Sequence, residues 1–208
     1  MAVEVSYFFS MISPFAYIGH DPFMALAAKY DLAVHYRPMM LGEVFAETGG
    51  LPLGKRHPLR QAYRLIELQR WREKRGLKFK LKPDHWPFDC GLADRVVIAI
   101  CEAGQNPGPF MALGFHAIWV EDRNLADDSV VADVLEAAQM KSGPLIKAAK
   151  EDRTGELYRQ YTDEAIERGC FGSPCYVLND EPFWGQDRVD LLEDAIRSGR
   201  QPYTVPAA

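Results

Sequence analysis

The chain has 208 residues, 48% hydrophobic and 25% charged, with a formal net charge of −5 and four cysteines, a balance that suits one globular domain or two small interleaved ones. No stretch reaches the ~18–20 consecutive apolar residues a membrane helix needs, and the longest uncharged run, Val5 to Gly19, is broken by Ser10, Ser13 and Pro14. Nothing basic precedes that run, Glu4 stands where a positive leader region would be, and no small-residue cleavage site follows, so the protein is expected to be cytoplasmic, with no membrane partner.

Residues 3–9 (VEVSYFF) are β-branched and aromatic and are predicted as a strand that stops at Ser10-Met11-Ile12-Ser13. Pro14 suits the first turn of a helix expected to run to about Tyr30, and residues 33–37 (AVHYR) read as a second strand ended by Pro38. From Leu41 to about Glu167 strand signals vanish. Helices are predicted there over 58–75, 91–102, 109–120, 130–139 and 144–168, punctuated by proline and glycine. Strands return at 175–178 and 182–184 around the turn Asn179-Asp180, and a last helix is expected over 187–197. The fold class is therefore α/β, one small sheet built from residues 1–40 and 169–200 with an all-helical insertion over 41–168. Residues 201–208 are expected as a disordered or loosely docked tail.

Cys90, Cys101, Cys170 and Cys175 form no Cys-x-x-Cys pair and have no histidine at zinc-ligand spacing, so buried or neutral thiols are expected, with neither a metal site nor a disulfide framework. Charge is unevenly spread. Residues 55–82 hold 11 basic residues against Glu67 and Glu73, leaving 13 basic against 27 acidic residues elsewhere, a net −14. An acidic protein with one basic segment lacks the extended positive face that nucleic acid requires, but it suits one small anionic ligand. A solvated helix face, with Arg56, Arg60 and Arg64 four apart, explains the same residues.

Two strings carry chemistry. In Phe8-Phe9-Ser10-Met11-Ile12-Ser13-Pro14-Phe15-Ala16-Tyr17, Ser13 falls at the N-cap of the first helix, where its hydroxyl and the free first-turn N–H groups favour an anion; it serves equally as a plain helix cap. In Gly172-Ser173-Pro174-Cys175, a proline directly precedes a strand. Either the strand starts after it or the Ser173–Pro174 bond is cis and turns Ser173 toward a ligand.

These strings and the β-α-β, helical, β-β-α order resemble the thioredoxin fold of the DsbA-like superfamily, in the branch of 2-hydroxychromene-2-carboxylate isomerases and kappa-class glutathione transferases. Where the superfamily's oxidoreductases carry Cys-Pro-His-Cys, this chain reads Ser13-Pro14-Phe15-Ala16. Thiol–disulfide exchange needs a thiolate that neither Ser13 nor Ala16 supplies. The resemblance implies instead that Ser13 hydrogen-bonds the sulfur of bound glutathione, that Pro174 is the family's cis-proline, and that Ser173 meets the cysteinyl part. It also implies that Gln186 and Asp187, in the string Phe183-Trp184-Gly185-Gln186-Asp187-Arg188, hold the γ-glutamyl end. An acidic cap on the last helix explains Asp187 as well. Arg60 aligns with the family's carboxylate-binding lysine, with Lys55, Arg56 and Arg64 as rivals, and Gly50 replaces an expected asparagine.

The implied reaction is the opening of a bicyclic hemiketal carboxylate to a trans-benzylidenepyruvate, with glutathione as cofactor, a small aromatic carboxylate as substrate, and Phe15, Trp86 and Phe88 walling its ring or serving simply as core. Family members are often homodimers, and the resemblance implies one here. A kappa-like transferase is the alternative enzyme; a non-catalytic thioredoxin-fold binding module is the alternative from another class.

Overall fold

The computed structural model describes residues 2–205. Strand β1 (Glu4–Phe9) leads into helix α1 (Pro14–Tyr30), and strand β2 (Ala33–Pro38) returns parallel to β1, with Val5 opposite Val34 and Tyr7 opposite Tyr36. Parallel neighbours need a long crossover, and α1 supplies it. Strand β3 (Cys175–Leu178) pairs antiparallel on the other side of β1, and β4 (Glu181–Trp184) completes the order β2-β1-β3-β4. Asn179 and Asp180 join β3 to β4 at φ 49° and 65°, the positive-φ pair that a tight hairpin requires.

Helices cover both faces of this sheet, so β1 is buried on both sides. Val5, Tyr7 and Phe9 join the core that includes Phe23 of α1, while Phe8 points the other way onto Met39, Ala165, Cys175 and Val177. That double burial is why the second half of the strand, Tyr7-Phe8-Phe9, is apolar without alternation. Tyr7 stacks on Tyr176 of β3 with centroids 5.2 Å apart, locking the two chain ends together.

Between β2 and β3 run α2 (Leu41–Thr48), a 3₁₀ turn at Leu53–Lys55, α3 (Pro58–Lys74), α4 (Gly91–Glu102), α5 (Gly108–Trp119), α6 (Asp128–Ala137), α7 (Ser142–Ala149) and α8 (Asp152–Glu167); α9 (Val189–Ser198) closes the chain. None of the helices among the described residues is long and apolar enough to cross a membrane.

Several elements correct the sequence reading. Helix α2 was not expected: it has eight residues, no side-chain cap, and one buried residue, Val44, too little for a periodic signal. The helix expected over 144–168 is two. The Thr154 hydroxyl takes the Ala148 carbonyl (2.7 Å), and the chain bends between Ala149 and Asp152 so that α7 packs on α4 and α6 while α8 reaches α2 and β2. The last helix begins at Val189, with Arg188 rather than Asp187 at the N-cap. Residues 185–188 form a turn closed by the Arg188 N–H on the Gly185 carbonyl (3.1 Å), so Asp187 does not cap the helix. Of the tail, 206–208 lie outside the described residues, and Tyr203 is 73% exposed while its N–H donates to Glu181 (3.0 Å) and its ring lies 3.8 Å from the Arg200 guanidinium, the loosely docked alternative.

All four cysteines are free. Burial pushes the Cys90 thiol well up and the Cys101 thiol to about 11, and the neighbouring Cys170 followed by burial raises Cys175. These three are neutral thiols at physiological pH.

His20 of α1 is buried against Phe115, ring centroids 5.4 Å apart, and its Nδ1 has no partner. Burial lowers its pKa from 6.5 to about 4. The unfolded chain therefore binds more protons between those values, and the contribution is full above pH 6.5 and lost as pH falls toward 4, worth about 3 kcal/mol. Urea unfolding of the parent and of His20→Phe at pH 7 and pH 4.5 should show the parent losing about 2–3 kcal/mol relative to the variant; a pH-independent difference would mean that folding leaves the imidazole pKa unchanged.

Candidate active site

The end of β1 and the start of α1 meet the segment before β3. Ser13 is the N-cap of α1 at φ −84° and ψ 119°, with Pro14 at the first helical position. Its Oγ accepts the Ala16 N–H (3.2 Å) and donates to the Ser173 carbonyl (3.0 Å). The Ser173–Pro174 bond is cis, and β3 begins at the next residue, so both sequence alternatives hold together. Ser173 is fixed from a second side, because its Oγ accepts the Ser10 N–H (3.1 Å). The Gly185 N–H donates to the Pro174 carbonyl (2.9 Å) and draws the 185–188 turn to the same place.

A cleft of about 620 Å³ opens over this junction. Phe15, Ser173, Gln186 and Asp187 line it from the sheet side, and Arg56, Arg60, Arg64 and Trp71 from the α3 side. The four-residue spacing that suggested a solvated face instead turns one face of α3 into a basic wall. Arg64 is half-buried, with its guanidinium 4.7 Å from the Trp86 ring centroid, and burial followed by repulsion from Arg56 lowers its pKa to about 10. Arg56 donates to the Leu51 carbonyl (2.6 Å), and Arg60 is exposed. Among the described residues none of these three guanidiniums makes an ion pair: Glu67 is held by Arg70, and Asp187 by Arg188 at 2.5 Å. Lys55 does not line the cleft.

Other expected residues are placed less simply. Gln186 is buried, and its Oε1 is engaged by Arg75 at 2.9 Å. Trp86 lies beneath Arg64 and donates its indole N–H to the Ile12 carbonyl (2.9 Å). Phe88 packs on the core and does not line this cleft, where Tyr63, Trp71 and Trp184 supply the other aromatic surface. Gly50 has a local reason, because a Cβ there would sit 2.6 Å from Cδ1 of Phe45.

Sequence reading missed Asp94. This carboxylate from α4 is fully buried and accepts from Met11 N–H (2.8 Å), Ser10 Oγ (2.8 Å), Tyr158 Oη (2.7 Å) and Cys90 Sγ (3.4 Å). It docks the β1–α1 loop onto the helical block, and through Ser10 and Ser173 the hydrogen bonds continue to Ser13. The available signal was the pair Asp94-Arg95 interrupting the apolar run Leu92 to Ile100. Desolvation outweighs these hydrogen bonds and raises its pKa from 3.8 to about 6.

A family description, the DSBA-like thioredoxin domain, matches residues 4–197. The chain belongs to that family. A 2-hydroxychromene-2-carboxylate isomerase of Pseudomonas sp. (strain C18) is 28% identical over 94% of this chain and 91% of its own. A glutathione S-transferase kappa 2 of Caenorhabditis elegans is 26% identical over 92% and 91%. The solved structure of a 2-hydroxychromene-2-carboxylate isomerase superposes with a TM-score of 0.82 at 26% identity, covering 94% of this chain and 95% of that one. The fold is thus thioredoxin-like with a large helical complement, and the DSBA-like frame places Ser13 and Ala16 at the helix start described above.

Two outcomes test this architecture. Because Asp94 is protonated at higher pH in the fold than in the unfolded chain, it favours the fold most in acid and costs about 3 kcal/mol once ionised above pH 6. Relative to Asp94→Asn, the parent should lose about that much stability as pH rises from about 3 to about 7 in denaturant titrations. A Cβ at Gly19 of α1 would lie 2.8 Å from Cβ of Gln186 and 2.9 Å from Oη of Tyr176, so Gly19→Ala should destabilise the fold by about 1–3 kcal/mol in the same assay.

Proposed function

We propose that this chain is a glutathione-dependent isomerase of the 2-hydroxychromene-2-carboxylate type, opening bicyclic hemiketal carboxylates to trans-benzylidenepyruvates. The observation that carries the reading is a cleft lined by three guanidiniums without acidic partners and by Ser173 of the cis-proline segment, whose carbonyl accepts the hydroxyl of the buried N-cap Ser13 just beneath. The names of the isomerase relatives support the reaction class.

The residues present fit a tripeptide carrying one thiol, two carboxylates and one ammonium. Bound glutathione supplies a thiolate nucleophile that adds reversibly to a conjugated C=C bond. Ser13 has one hydroxyl proton, given to the Ser173 carbonyl in this structure, and turning it toward a sulfur places a donor there. The first-turn N–H groups of α1 add partial positive charge at the same point, which favours the thiolate over the thiol. Arg64 is the strongest carboxylate anchor of the basic stretch, since its half-buried guanidinium has lost hydration that no acid replaces; Arg60 and Arg56 add positive charge around it. Asp187, freed from any capping role, suits the ammonium on exchange of its Arg188 partner. Gln186 acts through its position in the turn, its side-chain oxygen being spent on Arg75.

Ser13→Ala removes a hydrogen bond to a charged group, worth about 1.5–3 kcal/mol, so glutathione-dependent turnover followed by ultraviolet absorbance should drop by about tenfold or more; unchanged turnover takes Ser13 out of the mechanism. Titration calorimetry should show glutathione binding that weakens by about tenfold in Arg64→Ala, a loss of similar origin. No binding at millimolar glutathione would overturn the enzyme reading in favour of a non-catalytic binding module. The kappa relative favours a second reading, a transferase using the same site. Product analysis separates the two, because turnover at substoichiometric glutathione excludes the transferase and stoichiometric consumption excludes the isomerase.

A further inference from the structure

The two walls of the cleft come from distant parts of the chain, and one of them is lightly anchored. Of the 17 residues of α3 only Leu68 is buried, while Leu59, Tyr63 and Ile66 are exposed. Packing therefore holds this helix weakly, and its side-chain hydrogen bonds weigh more in fixing where it lies. Among the described residues, those of Arg56 to Lys74 end on partners within residues 51–79, such as Arg56 on the Leu51 carbonyl and Arg72 on the Phe79 carbonyl (3.1 Å). They brace the helix locally and tie it to nothing across the cleft.

Arg75, the C-cap of α3, is the exception. Its Nη2 donates to both the carbonyl (3.2 Å) and the side-chain Oε1 (2.9 Å) of Gln186, 111 residues away in the chain. Gln186 belongs to the 185–188 turn, so one side chain joins the end of the basic wall to the opposite wall. A cation at a helix C-terminus is ordinarily explained by the helix dipole. Here Arg72 and Lys74 already supply that charge in the last turn, and Arg75 gives its side-chain bonds to Gln186 rather than to an α3 carbonyl.

The position is unfavourable for a free guanidinium. Arg75 is half-buried, its Nε is buried without a partner, and among the described residues it makes no ion pair. Burial lowers its pKa, which Tyr176, Asp190 and Asp187 offset only in part. The two bonds to Gln186 and the face of Trp71, 5.1 Å away, compensate the lost hydration. Trp71 itself lines the cleft, as does Asp187, the residue after Gln186. The turn is held to the sheet side by the Gly185 N–H on the Pro174 carbonyl (2.9 Å) and by close packing of Gln186 on Gly19 of α1. Among the described residues, no side-chain hydrogen bond other than those of Arg75 joins it to α3.

We propose that Arg75 is a positioning residue: by holding Gln186 to the end of α3 it sets Asp187 at a fixed distance from the basic wall, so that one ligand can place its ammonium on Asp187 and its carboxylates on the arginines. The ligand named here rests on the glutathione reading; the tie between the walls does not. The test uses the full chain as parent, Arg75→Met, which keeps an apolar stem, and Gln186→Met, which removes Oε1 from the other partner and serves alone if the first variant fails to fold by circular dichroism. Titration calorimetry compares glutathione with N-acetyl-cysteinylglycine, which keeps the thiol and the glycine carboxylate but has no γ-glutamyl end. Glutathione affinity should fall about fivefold or more in each variant, with the analogue's affinity within about twofold. Equal weakening of both peptides, or glutathione affinity unchanged in both variants, overturns the proposal. The tie is also read without ligand, as amide exchange at Gly185 and Arg188 followed by NMR, which should be about tenfold faster in the variants than in the parent. If the parent binds no analogue, or neither peptide, this exchange decides: faster exchange upholds Arg75 as the tie and unchanged exchange overturns it. Absence of glutathione binding with faster exchange brings down the glutathione reading alone.

Discussion

An ionised carboxylate removed from water costs on the order of several kcal/mol unless hydrogen bonds replace its hydration, and the donors that reach Asp94 from separate segments offset that cost in part, leaving its pKa raised to about 6. Ser10 and Met11 come from the loop after β1, Cys90 from the start of the same helix, and Tyr158 from α8. None of these donors is a cation, so the anion is held by neutral dipoles whose removal one at a time would leave it undersolvated. The loop between strand and helix is thereby tied to the helical block. Everything downstream of that loop depends on it: the N-cap at Ser13, the direction of α1, and the approach of Ser173, which accepts hydrogen bonds from the loop and from its cap.

The site built on that clamp combines two unequal charge environments. On the α3 side, Arg64 has lost much of its hydration and faces Arg56 rather than an acid, which is why its pKa falls even though arginine normally stays fully protonated. A cation so placed lowers the free energy of any anion that enters. Behind the loop, the carboxylate of Asp94 is the opposite charge, screened from the cleft by the hydrogen-bonded backbone of residues 10–13. The helix terminus lies between them, with the Ala16 and Tyr17 N–H groups of its first turn given to Ser13.

Much of the frame was legible along the chain. Alternation and β-branching marked the strands because a pleated strand repeats every two residues, and proline or glycine marked most helix ends because those residues restrict or release the backbone. The missed elements share a cause. Helix α2 is too short for a periodic signal, and the break between α7 and α8 is made by a threonine hydroxyl that captures a carbonyl six residues earlier, a contact that no propensity encodes. Of the candidate site residues, Ser13, Phe15, Arg60, Ser173, Gln186 and Asp187 converge on one junction, since short motifs at element ends stay together when the elements do. Phe88 does not line that cleft, and Trp86 serves it only from beneath Arg64.

The amino-acid order by itself determined the sheet-forming ends, the helical middle, the serine cap before Pro14, and the basic segment, because each is a property of neighbouring residues. The tertiary structure alone decided which arginine is desolvated, that Asp187 faces the cleft rather than capping a helix, and that Asp94 accepts donors from segments over sixty residues away in either direction. Burial and hydrogen-bond partnership depend on what the rest of the chain brings near, and that is set by how the helical block closes over the sheet, not by the residue or its immediate neighbours.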